Sequence, residues 1–344
     1  MPSQNPSQSK LSAVWTLFVL LISAALLTSG CGAAQQNKVY HIGVLSGLDA
    51  FGPAVNGLKA KMTELGYIEG KNITYDVQSL NVDTDAYQKA VQKFVTDKVD
   101  LIYVFPTEAA AIAKTVTKGT NIPVVFVLSF TDVKGIDLID SISAPGGNIT
   151  GVRFPSADIA SKRLQILNQI APNAKRILVP YLKDYPNVPG QMDVLRPQAQ
   201  SMGVQLVEIA AASPQDLQAE LDRRAASSDL GVDAILMIAE PLGITPVFFD
   251  ILGKFSFDHK LPIGGAMMTT SDGSTSSVFG LLPDAQTAGE QSALVVDKVL
   301  KGTPAGTIAV GTEESYFQIN YKAAQMLGLT VPEGLLKMAD KVIK

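Results

Sequence analysis

Few residues of this chain have the types and spacing that covalent chemistry needs. In 344 residues there is one cysteine, Cys31, and there are two histidines, His41 and His259. After Cys31 the sequence has no GxSxG elbow, HExxH helix, Walker loop or GxGxxG fingerprint, so it shows none of the common devices for acyl transfer, zinc hydrolysis, phosphate cradling or dinucleotide binding. Two acidic pairs, Asp83 with Asp85 and Glu313 with Glu314, lie in polar stretches and read as solvated surface. A hydrolase needs a nucleophile, a base and an orienting group together, and no such set can be assembled here. The glycines of Pro145–Gly151 resemble a phosphate loop in composition but follow no strand-to-helix turn.

Cys31 does have a chemical context. Ten polar residues with one basic side chain, Lys10, precede an apolar run from Leu11 to Leu27 that ends in Thr28-Ser29-Gly30-Cys31. This is the layout of an export signal. A small residue before the cysteine fits a narrow peptidase site, and the thiol is the group that accepts diacylglycerol. Residues 1–30 are therefore expected to be a lipoprotein signal peptide, Cys31 the lipidated residue, and 31–38 a small polar tether. The alternative is an uncleaved anchor helix, since about 17 apolar residues is the lower limit for spanning a bilayer.

Without the signal, 27 basic side chains stand against 32 acidic ones, a net charge of −5, which attracts no nucleic acid. A chain that is 47% hydrophobic and 17% charged can bury two cores of ordinary domain size. Once Cys31 is lipidated, no thiol remains for a disulfide, a metal site or a nucleophile.

Patterning supplies the architecture. VYHIGVL from Val39 reads as a strand, a helical pattern through Lys59, Met62 and Leu65 follows and stops at Gly66, and NITYDVQSL reads as a second strand. A helix through Ala86, Val91 and Phe94 leads to VDLIYVF, a continuous apolar run typical of a buried parallel strand, then another helix and IPVVFVLS. The order returns as RILVPYL, VQLVEIA, VDAILMI and LPIGGAM with helices between them. Gly66 pairs with Gly203, Val99-Asp100 with Val232-Asp233, and Ile122-Pro123 with Leu261-Pro262, at offsets of 137, 133 and 139 residues. A tandem of two α/β units, each on a parallel sheet, is the expected result. Ligands collect beyond the carboxyl ends of such strands. The segments around Pro145–Gly151, Gly280 and Gly302–Gly306 are the expected hinges between the lobes.

ELGYIEGKNI (64–73), DKVDLIYV (97–104), PGGNITGV (145–152) and INYKAAQMLGLTVPEGLLKMADKVI (319–343) carry a specific resemblance. From Val39 to Ile343 the chain resembles the substrate-binding lipoproteins of bacterial ABC importers, in the family that holds the tryptophan- and tyrosine-binding components. The resemblance implies a type I periplasmic-binding-protein fold: two lobes, each a parallel sheet flanked by helices, three crossovers, and a ligand gripped in the cleft as the lobes close. The lobes are expected at 39–149 plus about 279–310 and at 150–278 plus about 311–344. The resemblance implies no enzyme activity, no cofactor and no metal, and a monomer. Its implied partners are an ABC permease with its ATPase and a membrane reached through the lipid on Cys31, at the extracytoplasmic face.

Carried over position by position, the family's cleft contacts fall on Ser46, Thr107, Thr131 and Asp132 in the first lobe, and on Tyr181, Tyr185, Glu240 and Met267 in the second. Thr107 also has support of its own. As an N-cap before Glu108-Ala109-Ala110-Ala111 it either holds a ligand carboxylate or only caps its helix. Thr131-Asp132 is open to the same two readings. Glu240 suits an ammonium group, and Tyr181 or Tyr185 suits an apolar or cationic side chain, with one of the two tyrosines expected to pack inside its own lobe. There are departures from the family: Glu108 stands where proline is usual, Met267 where an acidic residue is common, FGLLPD (279–284) lacks the usual aspartate and tyrosines, and the first loop is short. The expected ligand is a small, largely apolar solute, an aromatic or branched amino acid or a close relative, delivered to the permease. A sensor subunit for a membrane receptor or kinase is the alternative, and a lipoprotein hydrolase a more distant one.

Overall fold

A computed structural model describes residues 38–344, apart from 81, 82 and 134. The signal segment, Cys31 and the tether up to residue 37 lie outside the described residues. The first half of the chain runs β1 (Tyr40–Ser46), α1 (Pro53–Glu64), β2 (Ile73–Ser79), α2 (Thr84–Thr96), β3 (Leu101–Phe105), α3 (Thr107–Val116), β4 (Val124–Ser129) and β5 (Ile149–Arg153). The pattern then repeats as α4 (Ser156–Ile170), β6 (Arg176–Leu182), α5 (Val188–Ser201), β7 (Gln205–Ala211), α6 (Pro214–Ala225), β8 (Ala234–Leu236), α7 (Pro246–His259), β9 (Ile263–Gly265) and β10 (Phe279–Pro283). The chain ends with α8 (Ala285–Leu300), β11 (Gly311–Thr312), β12 (Ser315–Asn320), α9 (Tyr321–Met326), α10 (Glu333–Met338) and β13 (Lys341–Ile343).

Local chemistry explains the boundaries. Asp83, Ser213 and Asp284 each accept a hydrogen bond from the backbone N–H three residues on, at the starts of α2, α6 and α8. Gly66 and Gly203, the paired landmarks of the sequence, have φ of 93° and 66°. Each ends its helix in the same way: Gly66 N–H bonds to Thr63 and Tyr67 N–H to Met62, while Gly203 bonds to Gln200 and Val204 to Ala199. This double closure needs a left-handed residue, which glycine adopts without strain.

The strands form two sheets, ordered β11-β5-β4-β3-β1-β2 and β13-β12-β10-β9-β8-β6-β7. The run β2-β1-β3-β4-β5 in one is matched by β7-β6-β8-β9-β10 in the other, so the repeat read from three landmarks is a repeat of topology. All pairs are parallel except β10 with β12. Every residue of β3 and β4 is buried, as expected where helices cover both faces. Alternate side chains feed opposite cores: Ile42 and Val44 pack with α1 and α8, Leu45 with α2 and α3. In the second lobe Ile177 and Val179 pack with α4 and α5, and Leu178 with α6 and α7.

The crossovers differ from the expected ones. Arg153 ends β5 in the first sheet, so the first crossing is at Phe154-Pro155 rather than between 149 and 150. FGLLPD is no loop of the first lobe; Phe279–Pro283 is β10 of the second sheet, and the return crossing is at Asp284. β11 pairs with β5, which moves the third crossing to Glu313-Glu314. Gly302–Gly306 is not a hinge. It packs inside the first lobe, where a Cβ on Gly306 would stand 2.3 Å from the Gly147 carbonyl oxygen.

Candidate functional site

The carboxyl ends of the two sheets supply the loops between the lobes. In the first lobe these follow from Ser46 at the end of β1, Thr107 after β3, Phe130–Asp132 after β4 and Arg153 at the end of β5. Ser46 and Thr107 are buried, Thr131 half-buried and Asp132 exposed. Thr107 is not the N-cap of α3. Pro106 holds that position, and Thr107 is the first helical residue. Its hydroxyl oxygen accepts the Phe130 N–H at 2.9 Å, fastening the loop after β4 to the start of α3. The Tyr87 hydroxyl donates to the Gly47 carbonyl and fixes the loop after β1 in the same way.

From the second lobe, Tyr185 reaches across. Its hydroxyl donates to Glu108 Oε1 at 3.3 Å, joining the loop after β6 to the first turn of α3. Burial, followed by the charges of Glu108 and Glu240, pushes the Tyr185 hydroxyl well above its ordinary range. Beside this bridge, the Asp132 carbonyl oxygen lies 3.4 Å from where a Cβ on Gly190 would stand, so the loop after β4 touches α5. Tyr181 stays within its own lobe, donating to Glu208 Oε2 at 2.9 Å, and Arg196 grips the same carboxylate. Met267 is half-buried, and its backbone runs within 2.6 Å of a Cβ built on Gly280.

Glu240 is buried at 5% exposure. Its Oε1 accepts from Gly243 N–H at 3.2 Å and its Oε2 from Leu182 N–H at 3.3 Å, tying the loops after β8 and β6 together. Desolvation pushes its carboxyl up to about 7 against those hydrogen bonds. A group so poised takes full charge when a cation approaches it. A groove of about 1300 Å³ lies elsewhere, at the amino ends of the first sheet's strands among Lys38, Asp100, Lys114 and Asn148, and contains none of these residues. Among the described residues no three His, Cys, Asp or Glu side chains are grouped to hold a metal ion.

Residues 41–343 match the sequence family described as ABC transporter substrate binding protein. The chain belongs to that family. It is 28% identical over 328 residues to a tyrosine-binding protein of Clostridioides difficile, covering 91% of this chain and 90% of that one. A solved conserved domain protein of Vibrio cholerae is 26% identical with a TM-score of 0.73, covering 89% of this chain and all of that one. An ABC domain from Streptococcus pneumoniae solved with L-Trp has the same TM-score of 0.73 at 23% identity, again covering 89% of this chain and 100% of that one. The fold is that of a type I periplasmic binding protein.

In this binding protein the cleft floor of the second lobe is set by buried polar side chains that sequence reasoning passed over. Arg163 of α4, with no exposure, donates from Nε and Nη2 to the Leu281 carbonyl and from Nη1 to that of Met237, spanning the ends of β10 and β8. Asn187 and Gln191 both donate to the Ala239 carbonyl, and Gln191 accepts the Ala239 N–H. Ser156 holds Asn187 at 2.9 Å. A signal for Arg163 was present: it falls on the stripe Ile159, Ala160, Leu164, Leu167, where helical spacing demands apolar residues.

Glu313 gave no such signal, and its reading as solvated surface is corrected. It is 4% exposed, and one carboxyl oxygen accepts the Leu128 N–H while Oε2 has no hydrogen-bond partner. Leu128 has φ of 49°, in the left-handed region that costs a residue with a Cβ about 1–2 kcal/mol. The register of β4 against β5 shifts between Phe126 and Ser129. Glu313 therefore caps the bulge that turns Phe130–Asp132 into the cleft, from its own position at the third crossover.

Proposed function

We propose that the protein is an extracytoplasmic solute-binding lipoprotein that captures a small, largely apolar solute by lobe closure and delivers it to an ABC import permease. The solute class is an aromatic or branched amino acid or a close relative. The observation that carries this reading is the bridge from Tyr185 to Glu108, which brings the carboxyl-end loops of both sheets within hydrogen-bonding reach of each other. The tyrosine-binding relative and the L-Trp complex support the ligand class.

In mechanistic terms, ligand enters with the lobes apart and the three crossovers at Phe154, Asp284 and Glu313 flex. The loop pairs Thr107–Phe130 and Glu240–Leu182 then meet over the solute as two stiff jaws. Each jaw is already hydrogen-bonded within its own lobe, so closure orders few further side chains. Cys31 and its acyl chains would hold the protein at the membrane near the permease, raising its effective concentration there. Among the described residues no helix is long and apolar enough to cross a membrane.

The test is native mass spectrometry of the protein purified from an export-competent host, followed by denaturation to release any bound solute. Release of an intact aromatic or branched solute that raises the melting temperature when added back supports the reading. Binding confined to sugars or polyamines defeats it.

A further inference from the structure

We propose that Glu108 sets ligand specificity by charge, so that the cleft takes an apolar solute carrying an amine and disfavours one whose carboxylate must sit at the amino end of α3. This rests on the solute-capture reading above and narrows its ligand class. The unpaired N–H groups at the start of a helix make that end the natural seat for an anion. Here the first turn already carries a carboxylate. Glu108, the second residue of α3, is half-buried rather than solvated, and its Oε1 accepts the Tyr185 hydroxyl from the other lobe. The carboxylate is thus directed across the cleft. Thr107 has already given its hydroxyl oxygen to Phe130.

A second carboxyl group, Glu240, lies in the same lobe as Tyr185. Glu240 is buried, spends its oxygens on Gly243 and Leu182, and acts with Glu108 to disfavour ionisation of Tyr185. Among the described residues no Lys or Arg forms an ion pair with Glu108. Arg163 is fully buried and given to two backbone carbonyls. Arg153, at the end of β5, is half-buried with its Nε unpartnered and Nη2 3.9 Å from Asp158, and Lys183 is exposed. An ammonium entering between Glu108 and Glu240 meets attraction from both jaws. A ligand carboxylate at α3 meets a like charge in a half-buried position, where repulsion is screened less than in bulk water. Discrimination of this kind works by rejecting the wrong charge as much as by holding the right one.

The test is calorimetric titration of the full chain, in mild detergent, with two matched sets: tryptamine, tryptophan and indole-3-propionate, then isopentylamine, leucine and isovalerate. The amine is expected to bind most tightly and the acid least in at least one set, with the preference shrinking as salt is raised. E108Q, checked for native circular dichroism, is expected to narrow the amine to amino-acid ratio by about tenfold. If the amino acid or the acid binds more tightly than the amine, or if folded E108Q leaves the ratio unchanged, the specificity proposal fails while solute capture stands. If no member of either set binds, both fall. The wild-type series and its salt dependence decide the matter even if E108Q does not fold.

Discussion

Burying a carboxyl group without a cation makes it hold its proton, and Glu313 is the extreme case here, pushed up to about 8 by burial against a single hydrogen bond from Leu128. Its folded value lies above the unfolded one, so the folded protein binds the extra proton. Glu313 therefore costs nothing below the unfolded value of about 4.5, and stability falls as pH rises from there through about 8. The slope approaches about 1.4 kcal/mol per pH unit for one proton. Glu313→Gln should flatten that loss, so that its thermal midpoint exceeds the wild type's at pH 9 and matches it more closely at pH 5. A midpoint difference independent of pH would refute the assignment. Arg163 presents the opposite charge in a similar place. Burial pulls its guanidinium down while Glu240's charge supports it. Arg163→Met keeps the bulk but strands the Met237 and Leu281 carbonyls, and should cost about 2–4 kcal/mol in urea unfolding.

At the scale of elements, the closest packing is between α1 and α8, which meet through glycine. A Cβ on Gly57 would stand 2.0 Å from the Gln286 carbonyl oxygen, and one on Gly289 would stand 2.1 Å from that of Ala54. Both obstacles are backbone and cannot swing aside. Gly289→Val should therefore push the helices apart and destabilise the protein by about 1–3 kcal/mol or more, measurable as a fall in melting temperature. The strands and helices themselves were legible in the sequence because parallel strands are continuous apolar runs and helix ends carry their stops, as at Gly66 and Gly203. The crossovers were not. Hinges were sought at glycines, but two of the three turn at Phe154-Pro155 and Glu313-Glu314, which contain none. Phe279–Pro283 was expected in the first lobe, yet its buried FGL is what a central strand of the second sheet requires. In the site, Glu108 was noticed as a misfit, while its partner across the cleft could be seen only once the lobes were placed together.

At the scale of the molecule, the lobes are held near each other by few polar contacts among the described residues besides the three crossovers. The Tyr185 to Glu108 bond is one, at 3.3 Å, and Arg153 with Asp158 another, at 3.9 Å. Each is worth about 1 kcal/mol or less, so the closed arrangement is readily shifted. Tyr185→Phe should move the unliganded protein toward open forms, seen as a larger radius of gyration by small-angle X-ray scattering. An unchanged radius would mean that other contacts hold the lobes.

The lodging of α8 against α1 bears on how the protein comes into being. The first lobe starts at residue 40, but α8, one of the two helices that cover this face of its sheet, arrives only at 285–300, after β6–β10 of the second lobe. A chain emerging amino end first must therefore wait, with Ile42, Val44 and Leu58 covered only in part, until α8 appears. Closure over so long a sequence separation is slow, so the core of the first lobe is completed only when most of the chain is available.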